Sequence, residues 1–398
     1  MLKLIAVSDL QLGMYIHEFC GSGIEQSLWK SGFLLQNEHD LKRIVDSQVT
    51  KLWINVCRGK DVNVAVQPCA TPRACPRVAL DQEVPRAIKL CSRSKVAVET
   101  MFRDVRMGRL VETAHVTELV TDIAESIMRH PDALISLVRL KTSDEYTYMH
   151  SVAVCALMIA LARQLNLPAE RVQQAGIAGL MHDIGKVAIP VAILNKPGKL
   201  CDAEFATMRT HPEAGAQMLR SSAHFGPEVL DVCLHHHEKF DGSGYPHQLA
   251  GLQISLFARM GAICDVYDAV TSDRPYKRAW GPADSIRRMA EWQGHFDYEL
   301  FQAFVKCVGI YPVGALVRLE SGRIGVVTEQ NEKSLLTPKV HVFYCATYEK
   351  HIPKIIVNLA MIGGRDRIVS RENAEDWGFK DTDQLWSGLS SDNNSRFD

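Results

Sequence analysis

The feature that most constrains this fold is a long apolar stretch in the middle of the chain. Residues 152–162 form an uninterrupted run of 11 apolar side chains, and the surrounding segment 149–165 is predicted to be one helix. A membrane-spanning helix needs roughly 20 such residues, so this one is too short to cross a bilayer. A helix that is apolar on all sides has to be surrounded by other elements. The sequence therefore predicts a mainly α protein with 149–165 at its centre.

Neighbouring segments carry the periodicity of further helices. Val116, Leu119, Val120, Ile123 and Ile127 repeat at helical spacing, as expected for one buried helix face. Helices are also predicted over 169–182, 204–219, 227–238, 255–271 and 282–291. These segments predict a helical bundle that encloses the central helix.

The two ends of the chain differ from its middle. Residues 1–56 predict a small α/β unit, with a strand near 12–16, a helix over 40–49 and a strand over 51–56. A proline-containing irregular segment covers 57–85, and short strands are predicted at 316–319, 325–328 and 339–344. We therefore expect an N-terminal regulatory domain with its linker (1–130), a helical catalytic domain (131–312), and a β-rich extension with a disordered tail (313–398).

Charge and cysteine content exclude several classes of protein. Lys and Arg number 45 and Asp and Glu 46, so the net charge of −1 argues against a broadly basic nucleic-acid binder. None of the 11 cysteines forms a CxxC pair, so reduced, buried thiols are expected. The N-terminal apolar run is too short for a signal peptide, so we expect a cytoplasmic protein with no membrane insertion.

Histidines are concentrated in the helical region. The chain has 15 of them, and seven lie between His182 and His247. Each of these side chains taken alone is more often a buried polar group or a helix cap than a metal ligand, so the joint pattern carries the prediction. The candidate ligands, all at predicted helix ends or on helix faces, are His150, His182, Asp183, His211, His236, His237 and Asp265.

The adjacent pair His182–Asp183 indicates a particular chemistry. Imidazole nitrogens and carboxylate oxygens both bind first-row divalent metals. A carboxylate beside a histidine ligand can bridge two ions, and two ions a few Å apart can hold both sides of a phosphate during in-line displacement. The residues therefore predict a binuclear metal site that acts on a phosphate ester.

The motifs around these residues resemble those of the HD-GYP family. They are AGLMHDIGKVAIPVAILNKPGKL (178–200), HPEAG (211–215), HHEKFDGSGYP (236–246) and ARMGAICDVYDAVTSDRPYK (258–277). This family contains bacterial phosphodiesterases that degrade cyclic di-GMP, within the HD metal-dependent phosphohydrolases. The resemblance spans about 140–310, and LGMYIHE (12–18) resembles the uncharacterised domain that often precedes the catalytic domain.

The resemblance implies two divalent ions per chain, with iron or manganese expected and nickel or zinc compatible with the ligands. The implied ligands of one ion are His150, His182, Asp183 and Asp265, and those of the other are His211, His236 and His237, with Asp183 as the bridge. One departure concerns a third ion. Some members have a glutamate four residues before the first ligand histidine, and this chain has Tyr146 there. Since tyrosine is a poor ligand for such an ion, we expect two metals and not three.

The resemblance also implies residues that act on the substrate. Lys186, one helical turn after His182, would place an ammonium group beside the scissile phosphate. Asp268 would orient a ligand or the attacking hydroxide. Arg274 and Lys277 match positions that contact guanine or phosphate groups. Tyr245, in the loop 242–246, would stack on or hydrogen-bond to the substrate, and a purely structural role is equally open. The implied catalytic residues are Asp183, Lys186 and Asp268.

The function implied is hydrolysis of cyclic di-GMP to linear pGpG, and further to GMP, which would lower the level of a bacterial second messenger. Two alternatives stay open: hydrolysis of a mixed cyclic GMP-AMP dinucleotide, and a non-catalytic receptor of cyclic dinucleotides. The intact His182, Asp183 and Lys186 argue against the receptor. The resemblance also suggests docking of diguanylate cyclase domains on the 242–246 loop, and an oligomer of identical chains is compatible with it.

Overall fold

The computed structural model describes residues 2–20, 32–47, 49, 51–56, 58–60, 76–140, 146–222, 225–272, 279–331, 333–361 and 366–388. Helices dominate the middle of the chain, and an antiparallel sheet lies toward each end of it. The prediction of a mainly α protein with a small α/β N-terminal part and a β-rich C-terminal part is confirmed.

The N-terminal part is a small sheet with one helix. Its strands are β1 (Leu2–Ala6), β2 (Tyr15–Cys20), β3 (Phe33–Leu34) and β4 (Lys51–Asn55), in the spatial order β1-β4-β2-β3, and its helix is α1 (Glu38–Val45). Met14, Ile16 and Ile44 form part of its own core. Trp53 instead packs into the core of the helices, where the Arg171 guanidinium lies 5.8 Å from its ring. The small sheet is thereby joined to the helical part.

The helical part contains helices of very different lengths, the longest of which is α2 with 27 residues. The bounds are α2 (Leu80–Arg106), α3 (Thr113–Arg129), α4 (Pro131–Val138), α5 (Tyr146–Gln164), α6 (Ala169–Met181), α7 (Val191–Leu194), α8 (Asp202–Met208), α9 (His211–Ser221), α10 (Pro227–His235), α11 (Leu256–Thr271), α12 (Pro282–Glu291) and α13 (Tyr298–Val308). A 3-10 turn at Ile184–Ala188 follows α6.

Helix α5 lies at the centre, as the apolar run predicts. Every residue of 151–162 is buried, and the helix packs against α2, α3, α4, α6, α11 and α13. Helices α2 and α3 contribute Val98, Phe102 and Val120 to this core, although they precede the predicted domain boundary at residue 130. That boundary stays a prediction. None of the helices in the described ranges has the length and apolarity required to span a membrane.

The C-terminal part is a five-stranded antiparallel sheet. Its strands are β5 (Leu316–Leu319), β6 (Arg323–Glu329), β7 (Lys339–Cys345), β8 (Lys350–Asn358) and β9 (Ile368–Arg371), in the order β8-β7-β6-β5-β9, and the short helix α14 (Gln384–Ser387) follows. Strand β8 is absent from the sequence prediction because its Pro353 and its lysines weaken the strand pattern. An edge strand tolerates proline, and β8 is at the edge. The predicted disordered tail falls, from residue 389 onward, outside the described residues.

Several predicted helix bounds are wrong. The predicted helix 204–219 is divided into α8 and α9, because Pro212 in the first turn of α9 cannot continue a preceding helix. The predicted helix 227–238 ends at His235, and α2 starts at Leu80 with Pro85 inside it. Of the predicted buried thiols, Cys155, Cys233 and Cys264 are free and buried, whereas Cys201 is exposed.

A close approach of α6 to α5 depends on Gly179. A Cβ at this position would lie 2.9 Å from the Val154 carbonyl oxygen and 3.0 Å from Cys155 Cα, both in the buried backbone of α5. We predict that Gly179→Ala lowers the thermal unfolding midpoint, since overpacking of a core costs about 1–3 kcal/mol. Circular dichroism would measure it. Gly281→Ala is the matched control, because a Cβ there meets only the Asp284 carboxylate, at 3.7 Å. Equal midpoints for the two variants would contradict the prediction.

Candidate metal centre

All seven predicted ligands meet at one place beside α5. His150 lies in the first part of α5, and His182 and Asp183 directly follow α6. His211 opens α9, His236 and His237 follow α10, and Asp265 lies in the middle of α11. His237 has a side chain that is 24% exposed, and the other six ligands are buried. The structure therefore brings together the residues that the sequence singled out.

The carboxylate of Asp183 lies between two pairs of imidazoles. Its Oδ2 is 3.3 Å from His182 Nε2 and 3.4 Å from His150 Nε2. Its Oδ1 is 3.3 Å from His211 Nε2 and 3.7 Å from His236 Nε2. Each oxygen thus faces a different pair, which is the arrangement a bridging carboxylate requires.

Asp265 and His237 lie next to the two imidazole pairs, one beside each. Asp265 Oδ1 is 3.0 Å from His150 Nε2 and 3.9 Å from His182 Nε2. His237 joins His211, His236 and Asp183 in a group whose ligand atoms all lie within 4.8 Å of one another. Its Nδ1 is 3.8 Å from Asp265 Oδ2, so the two groups also adjoin through this pair.

Four of the histidines have their outer ring nitrogen already engaged. The Nδ1 atoms of His182 and His211 lie 2.7 Å from the carbonyl oxygens of Gly179 and Met208, and that of His236 lies 3.0 Å from Val232 O. His150 Nδ1 lies 2.7 Å from Asp268 Oδ2. Such partners hold a proton on Nδ1 and leave Nε2 as the ligand atom. Every one of these Nε2 atoms points to Asp183.

Burial and neighbouring charges act in opposite directions on the pKa values of the site. Burial opposes protonation of His150, but its hydrogen bonds with Asp183, Asp265 and Asp268 raise its pKa to about 10. Burial, together with the neighbouring His237 and His182, holds the pKa of His236 well below its usual range. Burial also works against ionisation of Asp183, yet Lys186 and His182 keep its pKa well below the ordinary value. An anionic Asp183 beside the neutral imidazole of His236 favours a bound cation.

The donor set fits divalent metal ions. Asp183 Oδ1 is buried and makes no hydrogen bond, although an ionised carboxylate oxygen excluded from water needs a partner. Two groups of atoms that could ligate a metal share this residue, one with His150 and His182 and the other with His211, His236 and His237. Nitrogen and oxygen ligands in this mixture suit first-row metals.

Lys186 lies at the site as predicted, but in a different secondary structure element. The sequence places it on one α-helix with His182, but α6 ends at Met181 and Lys186 is in the 3-10 turn. Its ammonium group makes an ion pair with Asp183 Oδ2. The turn approaches α9 closely, since a Cβ on Gly185 would lie 1.9 Å from the carbonyl oxygen of His211. A glycine is needed there to bring Asp183 and Lys186 to His211.

The loop that follows the last ligands covers His237. The Tyr245 ring stacks on the His237 ring, with centroids 4.7 Å apart and planes at 26°. Buried Glu238 accepts a hydrogen bond from the His247 backbone N–H at 2.7 Å, which fixes the end of the loop. A Cβ on Gly244 would lie 2.3 Å from Lys239 N, so the loop can pack on this segment only with glycine.

Some predicted residues are placed elsewhere or lie outside the described ranges. Arg274 and Lys277 belong to the segment 273–278, which is not described, and nothing is described of the Tyr146 side chain. His235 does not join the ligands, because its ring nitrogens face Asp231 at 2.6 Å and His247 at 2.9 Å. Sequence reasoning missed Glu238 as the anchor of the loop, although its place in the HHE motif was a usable signal.

Comparison with known families and relatives shows the family of this chain. The HD domain family matches residues 118–300, and a domain of unknown function (DUF3391) matches residues 2–116. A cyclic di-GMP phosphodiesterase of Pseudomonas aeruginosa is 57% identical over 408 residues, covering 100% of this chain and 99% of that protein. The chain belongs to the HD-GYP family.

Two further relatives match less than half of this chain. A cyclic di-GMP phosphodiesterase response regulator of Xanthomonas campestris is 46% identical over 30% of this chain and 32% of its own length. A 3′3′-cGAMP-specific phosphodiesterase of Vibrio cholerae is 34% identical over 47% of this chain and 36% of its own length. Relatives of this HD-GYP chain therefore include enzymes named for two different dinucleotides.

Asp268 lies behind His150, on the side of the ring away from the other ligands, so the geometry favours orientation of His150 over contact with the attacking hydroxide. We predict that Asp268→Asn weakens metal binding by about 10–100-fold, because loss of such an outer partner lets the ligand ring reorient. Metal retained after dialysis against a graded chelator would measure it. Asp284→Asn, on the exposed side of α12, is the control. Full metal retention in Asp268→Asn would contradict this positioning role.

Proposed function

We propose that this chain hydrolyses cyclic di-GMP to linear pGpG, and then to GMP, with two divalent ions per chain that are iron or manganese. The observation that carries the proposal is Asp183, whose two carboxylate oxygens face separate histidine pairs at 3.3–3.7 Å. The name of the full-length relative from Pseudomonas aeruginosa supports the choice of substrate. We place this activity in the cytoplasm, where the dinucleotide would act as a second messenger.

His150, His182, Asp183 and Asp265 would hold one ion, and His211, His236, His237 and Asp183 the other. When bound, the ions supply Lewis acidity, which makes hydroxide available near neutral pH and offsets phosphate charge. Hydroxide attacks phosphorus in line with the 3′ oxygen, the P–O3′ bond breaks, and the leaving oxygen takes up a proton.

The protein's own residues orient this reaction. The Lys186 ammonium, held beside Asp183, would face the phosphate oxygens and stabilise the charge that develops on them. Asp268 would keep His150 in its ligand orientation through the 2.7 Å contact to Nδ1. The stacked Tyr245 would restrict movement of His237 and exclude water from that side.

Two further parts of the proposal concern specificity and partners. Hydrolysis of a mixed cyclic GMP-AMP dinucleotide is the second candidate, because relatives from Vibrio cholerae are named for that substrate. A receptor without catalysis would not need Lys186 beside the bridging carboxylate. We also propose that the 242–246 loop, at the protein surface, docks diguanylate cyclase domains.

We predict that protein purified without oxygen and loaded with iron or manganese converts cyclic di-GMP to pGpG, and that Asp183→Ala abolishes this conversion. Chromatography of the products would measure it, with bound metal counted per chain. Two ions per chain are expected, since Tyr146 stands where a third site would need a glutamate. No product from the loaded protein would refute the enzyme, and three ions would refute the argument from Tyr146.

We predict that Lys186→Gln lowers kcat by about 100-fold or more, because it removes a cation from the developing phosphate charge. Steady-state kinetics on cyclic di-GMP would measure it at equal metal content. Lys199→Gln, an exposed lysine between α7 and α8, serves as the control. A rise in KM with unchanged kcat would instead assign Lys186 to substrate binding alone.

A further inference from the structure

A column of stacked planar groups extends from the metal centre to the protein surface. The Tyr245 ring lies on the ligand His237, with centroids 4.7 Å apart. The guanidinium carbon of Arg209 is 4.5 Å from the centre of the Tyr245 ring and 6.0 Å from that of Phe205. Arg209 is therefore two stacked layers away from a metal ligand, on the open side of the site.

Both outer members of this column are available to a ligand. Phe205 is 48% exposed, and Arg209 is exposed. Among the described residues no carboxylate forms an ion pair with Arg209, in contrast to Lys186, Arg171 and Arg259 around the same domain. Phe205 and Arg209 therefore contribute little to the packing of the hydrophobic core, and their position beside the buried site calls for another role.

The break between α8 and α9 fixes Arg209 at this position. The residue directly follows α8, and His211 begins α9 two residues later, where Pro212 imposes the new start. Because His211 belongs to the metal centre, Arg209 is tied to it by two peptide units. A substrate whose phosphate lies among the histidines would reach this arginine with its neighbouring base.

Purine bases are recognised by the chemistry found here. Bases stack on aromatic rings and on guanidinium planes. An arginine donates two parallel hydrogen bonds to O6 and N7 of guanine, whereas adenine presents an amino donor in place of O6. Arg209, whose guanidinium lies over two rings and has no carboxylate partner within the described part of the chain, can make that bidentate contact.

We propose that Phe205, Arg209 and Tyr245 form the subsite for one base of the dinucleotide, and that Arg209 selects guanine over adenine there. This inference rests on the proposed function and specifies its base preference. Phe205 supplies exposed stacking surface, Tyr245 supports the Arg209 guanidinium from the side of His237, and Arg209 supplies the discriminating hydrogen bonds.

The test compares Arg209→Ala and Arg209→Lys with the wild-type enzyme on cyclic di-GMP, cyclic di-AMP and the base-free diester bis(p-nitrophenyl) phosphate. We expect Arg209→Ala to lose about 10–100-fold in kcat/KM on cyclic di-GMP, mainly through KM, because one bidentate contact discriminates by about 1–3 kcal/mol. The losses on cyclic di-AMP and on the base-free diester should be at least about 10-fold smaller. Lysine should restore little, since it lacks the two-pronged geometry.

Arg220→Ala is the matched control, an exposed arginine in the last turn of α9. Equal losses on all three substrates would overturn the base subsite and leave only a general effect of charge. Cleavage of cyclic di-GMP with unchanged discrimination in Arg209→Ala would refute the subsite but not the proposed function.

If the wild-type enzyme cleaves no cyclic di-GMP, the proposed function fails. In that case the equilibrium affinities for GMP and AMP test the base subsite. Equal affinities would refute it, and a preference for GMP that is lost in Arg209→Ala would support it.

Discussion

The buried carboxylate of Asp183 is the constraint on which the helical part of this protein depends. An ionised group excluded from water is costly unless charges or strong donors compensate it. Lys186 pairs with one of its oxygens, while Oδ1 makes no hydrogen bond and faces His211 and His236. The surrounding helices therefore have to deliver imidazoles to both sides of one carboxylate.

That requirement explains why so many helices end at this point. A residue just past a helix end can turn into the site while the helix packs elsewhere, as His182, Asp183, His236 and His237 do. His211 uses the opposite arrangement and opens α9, with Pro212 enforcing the start. The carbonyl oxygens of Gly179, Met208 and Val232 then accept hydrogen bonds from the Nδ1–H groups, so the backbone near each helix end also orients its histidine ring.

Local patterns in the sequence predict much of this arrangement. The apolar run of α5 predicts the central helix because it has no polar face, and ligand chemistry together with the family motifs predicts which side chains meet. The break at 209–210 follows from Pro212, and the edge strand β8 is obscured by its Pro353 and lysines. The 3-10 turn carrying Lys186, in contrast, is determined by tertiary contacts. Gly185 against the His211 carbonyl, for example, has no signature in local periodicity. Arg209 was missed for the same reason, since stacking on Tyr245 is a contact across 36 positions of sequence.

The ligand set by itself cannot choose among cyclic dinucleotides. In the proposed reaction its histidines and aspartates would face a phosphate group, and every cyclic dinucleotide presents one of the same charge and shape. Discrimination between bases requires hydrogen-bond donors or acceptors at the distance of a base from its phosphate, outside the metal ligands. The net charge of −1 adds no selectivity, because both purines are carried on the same anionic backbone. In the proposed subsite, specificity therefore depends on residues outside the ligand set, such as the exposed Arg209 at the end of α8, which can vary without displacing the carboxylate at the centre.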